Sequence, residues 1–202
     1  MDSGDAESLY RFYVLVAAQA HESWFAFLPN DLQRAARRSR LGVQILSRML
    51  AHREGLATPD RFELDSENRW VLEDAPALTQ AAVRLGAFAL APMIATCIQR
   101  DRVRAVRSVI GEDGHRAALA SVENPLGCLP EGEAESWNGS DEFRALAERT
   151  GFRLMRATLP ADDASVARRV ALKFPRSYAN LKGPGAADVP RIRTLISNTL
   201  AG

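Results

Sequence analysis

Residues 74–111 read DAPALTQAAVRLGAFALAPMIATCIQRDRVRAVRSVIG and hold the densest apolar content of the chain. Their apolar side chains recur at intervals of three and four residues, the period that places them on one face of an α-helix. Pro92 interrupts the run, Asp101 is typical of a helix start, and Gly111 is typical of a helix end. We therefore expect three consecutive helices that form the centre of the hydrophobic core.

The composition is that of an ordinary globular protein. Of the 202 residues, 47% are hydrophobic and 25% are charged, values typical of a folded chain with a buried core. The fold class that we predict is mainly α, a compact multi-helix single domain. It includes a short β-hairpin near residues 61–73, where Phe62 and Leu64 alternate with charged neighbours before Trp70.

Three segments organise the chain in this prediction. Residues 1–123 form an N-terminal helical core that includes the hairpin. Residues 124–140 are rich in proline, glycine and acidic residues, which is typical of a loop or linker. Residues 141–202 form C-terminal helices that pack on the same core, with a second proline-glycine join at residues 177–187.

The sequence predicts a soluble cytoplasmic protein without direct membrane insertion. Met1 is followed by acidic residues in place of the basic segment of a signal peptide. The longest apolar runs fall short of the roughly 20 residues that span a bilayer. Cys97 and Cys128 are too few for a disulfide framework, so we expect a reducing compartment.

Two neighbouring segments supply candidate partner-binding residues. Trp24, Phe25 and Phe27 concentrate just before Pro29, and such a cluster either plugs the edge of a core or anchors a partner. A single helix predicted over residues 30–53 carries an apolar stripe on one side and arginines on the other. Those arginines either face solvent or bind an acidic partner. The candidates for partner binding are Arg34, Arg37 and Arg38, and the others are Arg40, Arg48 and Arg53.

The net charge weighs against a general nucleic-acid binder. The 26 basic residues are offset by 25 acidic residues, which leaves +1, whereas nucleic-acid-binding domains usually carry a basic excess. Only a local patch could bind a polyanion. A helical DNA-binding regulator that uses residues 34–40 is therefore an alternative hypothesis, and our main interpretation includes no nucleic acid.

Motifs with a defined catalytic chemistry do not occur in the sequence: it has no phosphate-binding loop, dinucleotide fingerprint, HExxH, paired CxxC or GxSxG elbow. His115 lies in a predicted glycine-flanked turn and has no second histidine at helical spacing. We predict no catalytic residue, no cofactor and no metal. The alternative is a small helical enzyme or ligand-binding protein with a pocket near residues 111–115.

An ordered series of short motifs resembles the SctK/YscK proteins of bacterial type III secretion systems. The resemblance covers about residues 10–176. In chain order the motifs are HxSW and LP (His21, Ser23, Trp24, Leu28, Pro29), GL (Gly55, Leu56), WxL (Trp70, Leu72), LxxxxxxLG (Leu78, Leu85, Gly86), IG (Ile110, Gly111) and the basic LKFP (172–175).

This resemblance implies a noncatalytic adaptor of the sorting platform beneath the injectisome. It implies two protein partners, a SctQ-like pod protein and the cytoplasmic domain of a SctD-like membrane-ring protein, at the cytoplasmic face of the bacterial inner membrane. Lys173 and Arg176, the basic residues of the motif LKFPR, join the candidate partner-binding residues.

Overall fold

A computed structural model describes residues 3–59, 62, 64–123, 126, 137–159, 164–181, 183 and 188–201. Within these ranges the regular structure is helical and no strand occurs, so the mainly α prediction is confirmed. The α-helices are α1 (Ser3–Tyr13), α2 (Asn30–Arg37), α3 (Arg40–Arg53), α4 (Ala75–Ala89), α5 (Ala91–Ala95), α6 (Arg100–Ala120), α7 (Ser140–Ala157), α8 (Ala164–Leu172) and α9 (Val189–Leu200).

The chain divides into two compact units, and each is built from two separate stretches of sequence. Unit 1 comprises Met1–Ala75 and Leu159–Asn180, and unit 2 comprises Pro76–Thr158 and Leu181–Gly202. The predicted linker at residues 124–140 falls within unit 2. Most of it, residues 124, 125 and 127–136, lies outside the described residues, as do residues 182 and 184–187 of the second predicted join.

The core of unit 1 forms where two short 3-10 helices, Val16–Ala18 and Glu22–Phe25, pack against α3. Val16, Trp24 and Phe25 from these turns are buried together with Leu46 and Leu50 of α3. A buried hydroxyl joins the first of these 3-10 helices to α3, because the amide of Ala17 donates to Oγ of Ser47 at 3.1 Å. One side of α3 is thereby fixed in the interior.

The predicted single helix over residues 30–53 is wrong, because the chain turns between α2 and α3. Ser39 adopts an extended conformation and its Oγ accepts a hydrogen bond from the amide of Gly42 at 2.9 Å, which caps α3. A Cβ at position 42 would overlap the backbone of Ala36. Glycine at this position therefore lets α2 and α3 approach backbone to backbone.

The predicted hairpin near residues 61–73 is absent from the described part of the chain. Ser66–Leu72 forms a 3-10 helix, with Trp70 and Val71 buried. A strand with one buried face needs strict alternation of apolar and polar residues. Trp70, Val71 and Leu72 are consecutive and do not alternate, and a helical turn can bury the first two together.

Unit 2 is built on a close crossing of α4 and α7. A Cβ at Gly86 would overlap the carbonyl of Ala147, and a Cβ at Gly151 would overlap the carbonyl of Ala82. The predicted interruption at Pro92 is present, since α4 ends at Ala89 and α5 follows with the proline in its first turn. The core also includes buried side chains of α5, α6 and α7, among them Ile94, Val106, Phe143 and Leu146.

Helix α6 is kinked at Gly111, whose φ of 74° and ψ of 170° are not helical. The predicted stop at this residue is therefore an interruption, and helical structure resumes through Ala120. His115 lies in the second part of α6 and is buried. In the described part of the chain, no helix combines the length and the hydrophobicity that crossing a membrane requires.

Candidate partner-binding surface

Two segments of unit 1 that are about 150 residues apart in sequence lie side by side. The amide of His21 donates to the carbonyl of Leu172 at 2.7 Å, and Nε1 of Trp24 donates to the carbonyl of Phe174 at 2.9 Å. The amide of Arg176 donates to Oγ of Ser23 at 2.9 Å. The motifs HESWF and LKFPR therefore form one local structure.

Three arginines lie over three aromatic rings in this structure. The guanidinium of Arg37 is 4.8 Å from the ring centre of Phe25, and that of Arg53 is 4.3 Å from the ring centre of Phe27. The guanidinium of Arg176 is 5.7 Å from the ring centre of Trp24. Contacts of this kind are attractive and hold the long side chain in place. We call the six residues, Trp24, Phe25, Phe27, Arg37, Arg53 and Arg176, the aromatic-arginine cluster.

The candidate residues of this cluster differ in accessibility. Trp24 and Phe25 are buried, whereas Phe27 is half-buried and Arg176 is exposed. The two buried rings support the surface from inside. Contact with a partner stays a prediction, and it rests on the accessible members and on the exposed candidates Arg34 and Arg38.

Arg37 joins α2 to the turn between the two 3-10 helices. Its Nη2 donates to the carbonyl of Ala20 at 2.8 Å. Burial lowers the pKa of Arg37, and the negative charge of Glu22 partly opposes that effect. Its neighbour Arg38 is exposed, and no carboxylate lies within ion-pair distance of it among the described residues. The two adjacent arginines are therefore in different environments.

Lys173, the remaining candidate, is an interior residue of unit 1. Its Nζ donates to the carbonyl of Val71 at 2.7 Å and also to the carbonyl of Glu73, and it lies 5.4 Å from the ring centre of Phe12. Burial lowers the pKa of Lys173 to about 7, while the charges of Glu73 and Asp74 act in the opposite direction. These contacts join the end of α8 to the 3-10 helix Ser66–Leu72.

Sequence reasoning missed a second buried cation, Arg169, one helical turn before Lys173. Its Nη2 donates to the carbonyl of Ala57 at 2.6 Å, its Nη1 bonds to Ser165, and its guanidinium is 5.2 Å from the ring centre of Tyr13. Nothing distinguishes this residue from Arg168 beside it in the sequence ARRV, because the carbonyls that it meets come from a distant segment.

An open groove of about 470 Å³ borders α2 in unit 1. His21 lies at its edge, where Nδ1 accepts from the amide of Ser23 at 3.2 Å and lies 2.9 Å from the Oγ of Ser23. This is the geometry of a helix cap. Among the residues that the structure describes, no group of His, Cys, Asp and Glu is arranged to hold a metal ion. The groove is lined by His21, Glu22, Ser23, Ala26, Asn30, Gln33 and Arg34.

A second surface feature of unit 1 was also not predicted from the sequence. Leu41, Ile45 and Met49 follow one another at four-residue steps on α3 and are all exposed. We call these three residues the α3 stripe. The spacing is visible in the sequence, but α3 has another apolar row, Val43, Leu46 and Leu50, and periodicity alone does not decide which row is buried.

Comparison with protein families gives a match over most of the chain. The model of the family described as YOP proteins translocation protein K (YscK) matches residues 9–200. No curated protein and no solved structure matches the chain. The match therefore covers both compact units and includes the whole aromatic-arginine cluster.

Proposed function

The chain belongs to the YscK/SctK family of type III secretion translocation proteins, and from this premise we propose that it is a noncatalytic adaptor joining two proteins of the secretion machinery. The proposed partners are a SctQ-like pod protein and the cytoplasmic domain of a SctD-like membrane-ring protein. The proposed place of action is the bacterial cytoplasm, at the inner face of the inner membrane.

The observation that carries the proposal is the extent of the family match, which runs over residues 9–200. An isolated motif could occur by chance in an unrelated helical protein. A match over nearly the full chain implies that the arrangement of its helices also follows the family. The ordered motifs from His21 to Pro175 support the same assignment.

The surface of unit 1 supports a protein-binding role. Arg34, Arg38 and Arg176 are exposed, and a guanidinium fork pairs well with a carboxylate. Arg176 lies over the buried ring of Trp24, and a side chain held in place in this way loses less entropy when a partner binds. An acidic protein surface is the complement that these charges suit.

The existence of two compact units supports a function with two partners. Each unit has a core of its own, so each offers a separate folded surface. A protein that joins two others needs surfaces that do not compete. We therefore propose that one partner binds unit 1, through the exposed arginines, and that the other binds elsewhere on the chain.

Calorimetric titration tests the proposal directly. The purified chain is titrated with the SctQ-like protein and, separately, with the SctD-like cytoplasmic domain, both taken from the same source. Binding to both is expected. A folded chain that binds neither partner contradicts the adaptor function, and steeply salt-dependent binding to duplex DNA in their place would favour the DNA-binding hypothesis.

A further inference from the structure

The α3 stripe is a row of large apolar side chains that face solvent. Leu41, Ile45 and Met49 expose 66%, 48% and 41% of their surface. Single exposed apolar residues are common in folded proteins, but a contiguous row of them is typical of an interaction site. The three side chains lie on one line along the helix, because residues at four-residue steps share a face.

The fold of unit 1 does not account for this row. An adjoining side of α3 is already fixed in the core through Leu46 and Leu50, both of which are buried. A helix that is apolar on two sides usually packs against two neighbours. Among the residues that the structure describes, no element covers the side that carries the α3 stripe, and its apolar residues are exposed.

Charge borders the stripe on one edge. Arg48 lies three residues after Ile45 and borders the stripe directly, and Arg40, which precedes Leu41 at the start of α3, lies about a quarter of a turn further round on the same edge. Both are exposed, and within the described ranges no carboxylate lies within ion-pair distance of either. The whole segment 30–53 has six arginines and one acidic residue, Asp31.

We infer that the α3 stripe, with its edge of Arg40 and Arg48, is the docking site for an acidic amphipathic helix of a partner protein. The stripe runs over the nine residues 41–49, so its first and last residues are about 12 Å apart at 1.5 Å per residue, a length that about two turns of a partner helix cover. Three apolar side chains of that helix would pack between Leu41, Ile45 and Met49. Its Asp or Glu residues would pair with the guanidinium forks of Arg40 and Arg48.

Two other occupants fit these observations less well. In a symmetric dimer the same surface of a second copy would face the stripe, and its arginines would meet arginines. An anionic membrane would attract the charges, but helices that lie in a membrane interface usually present several large residues, with aromatic ones among them. The exposed apolar residues of α3 are all aliphatic and occupy only two turns.

This inference rests on the proposed adaptor function, because it names the surface that one of the two partners uses. The test compares the full chain with Ile45→Asp and with the double variant Arg40→Glu/Arg48→Glu. Ile98→Asp and Arg100→Glu are the matched controls, since Ile98 is 95% exposed and Arg100 is also exposed, and both lie in unit 2. Circular dichroism and thermal melting verify that each variant is folded, and Leu41→Gln replaces Ile45→Asp if the latter unfolds.

Titration with the SctQ-like protein and with the SctD-like domain gives the decisive result. We expect Ile45→Asp to weaken binding of one partner by about tenfold or more and to leave the other unchanged, as the controls leave both unchanged. Hydrogen exchange of the affected partner should show protection in a helical segment with an excess of Asp and Glu.

Other outcomes would overturn the inference. If the unaltered chain binds a partner and Ile45→Asp binds it equally well, the stripe is not the site, although the adaptor function stands. If the unaltered chain binds neither partner, the adaptor function fails and the inference fails with it. A dimer that Ile45→Asp dissociates would assign the stripe to a second copy. Stripe-dependent binding to vesicles of phosphatidylcholine and phosphatidylserine would assign it to the membrane.

Discussion

Trp24 and Phe174 are separated by 150 positions in the chain, and a buried hydrogen bond of 2.9 Å joins the indole Nε1 of one to the carbonyl of the other. The bond fixes the segment HESWF against the segment LKFPR. Both segments contain candidate partner-binding residues. The relationship therefore connects the folding of unit 1 with the surface that we propose for binding.

Replacement of Trp24 by Phe removes this buried hydrogen bond to the carbonyl of Phe174. We expect the free energy of unfolding to fall by about 1–3 kcal/mol, measured by denaturant unfolding. Trp70→Phe is the matched control, because Nε1 of the buried Trp70 has no hydrogen-bond partner in the described part of the chain. Equal losses in the two variants would contradict the role of the Trp24 bond.

Replacement of Gly42 by Ala tests the close approach of α2 and α3. The added Cβ would overlap the backbone of Ala36, so one helix must shift, and overpacking of this kind costs about 1–3 kcal/mol. Gly4→Ala is the control, since Gly4 also lies in a helix and nothing lies within 4 Å of a Cβ there. A Gly42→Ala variant as stable as the Gly4→Ala variant would show that the turn tolerates separation of the helices.

Arg37 and Arg38 give a matched pair of adjacent charge reversals. Arg37→Glu loses the bond to the Ala20 carbonyl and the contact with Phe25, so we expect a loss of about 1–3 kcal/mol in stability. Arg38 is exposed, so Arg38→Glu should leave the melting temperature unchanged. It should weaken one protein partner, with the largest effect at low salt.

The opposite result for this pair has a clear meaning. If Arg38→Glu unfolds the chain, Arg38 has a structural role. If it leaves both partner affinities unchanged at low salt, the exposed side chain of Arg38 is only solvated. Circular dichroism and titration calorimetry on the same preparations separate these cases.

Lys173 should make the stability of the chain depend on pH. Burial holds its pKa in the folded state at about 7, below the ordinary value of 10.5. Between these two values the unfolded chain binds more protons than the folded chain, so this residue makes the free energy of unfolding rise with pH. Below pH 7 the slope disappears, because Lys173 is then protonated in both states.

The variant Lys173→Met isolates this contribution. Its overall stability is expected to fall, because the carbonyls of Val71 and Glu73 lose a donor. We subtract the free energy of unfolding of the variant from that of the unaltered chain at each pH from 7 to 10. This subtraction removes the contribution of most other titrating groups. We expect that difference to increase with pH. A constant difference would show that the pKa of Lys173 is not lowered.

The sequence predicted the helices well where local signals agree. Pro92 interrupts the apolar run, as expected, and separates α4 from α5. Two other positions follow the same local rules, since Pro190 lies in the first turn of α9 and Gly55 follows the end of α3 with a positive φ of 62°. These residues act through their own backbone preferences, which do not depend on the rest of the chain. Local chemistry of this kind is readable without a structure.

The errors come from places where packing decides. The turn between α2 and α3 depends on the cap that Ser39 forms and on the fit of Gly42 against Ala36, and the apolar period of residues 30–53 continues through both. Ser66–Leu72 coils into a 3-10 helix because Trp70 and Val71 must both reach the interior. The burial of Lys173 depends on carbonyls about 100 positions away. Such pairings are not visible in a single sequence.

The sequence predicted which types of residue form the candidate site, but it did not predict how they are arranged. Aromatic rings and arginines were expected near residues 21–38, and the structure places Arg176 beside them through the contacts of Ser23 and Trp24. The α3 stripe was missed because both apolar rows of that helix have the same period. Only the position of the core tells which row remains exposed.

Formation of a three-protein complex tests the central claim most directly. The chain, the SctQ-like protein and the SctD-like cytoplasmic domain are mixed and separated by size, and light scattering gives the mass of each peak. An adaptor predicts one peak that contains all three proteins and that disappears when this chain is omitted. Two separate binary complexes that never combine, with each partner displacing the other, would contradict it.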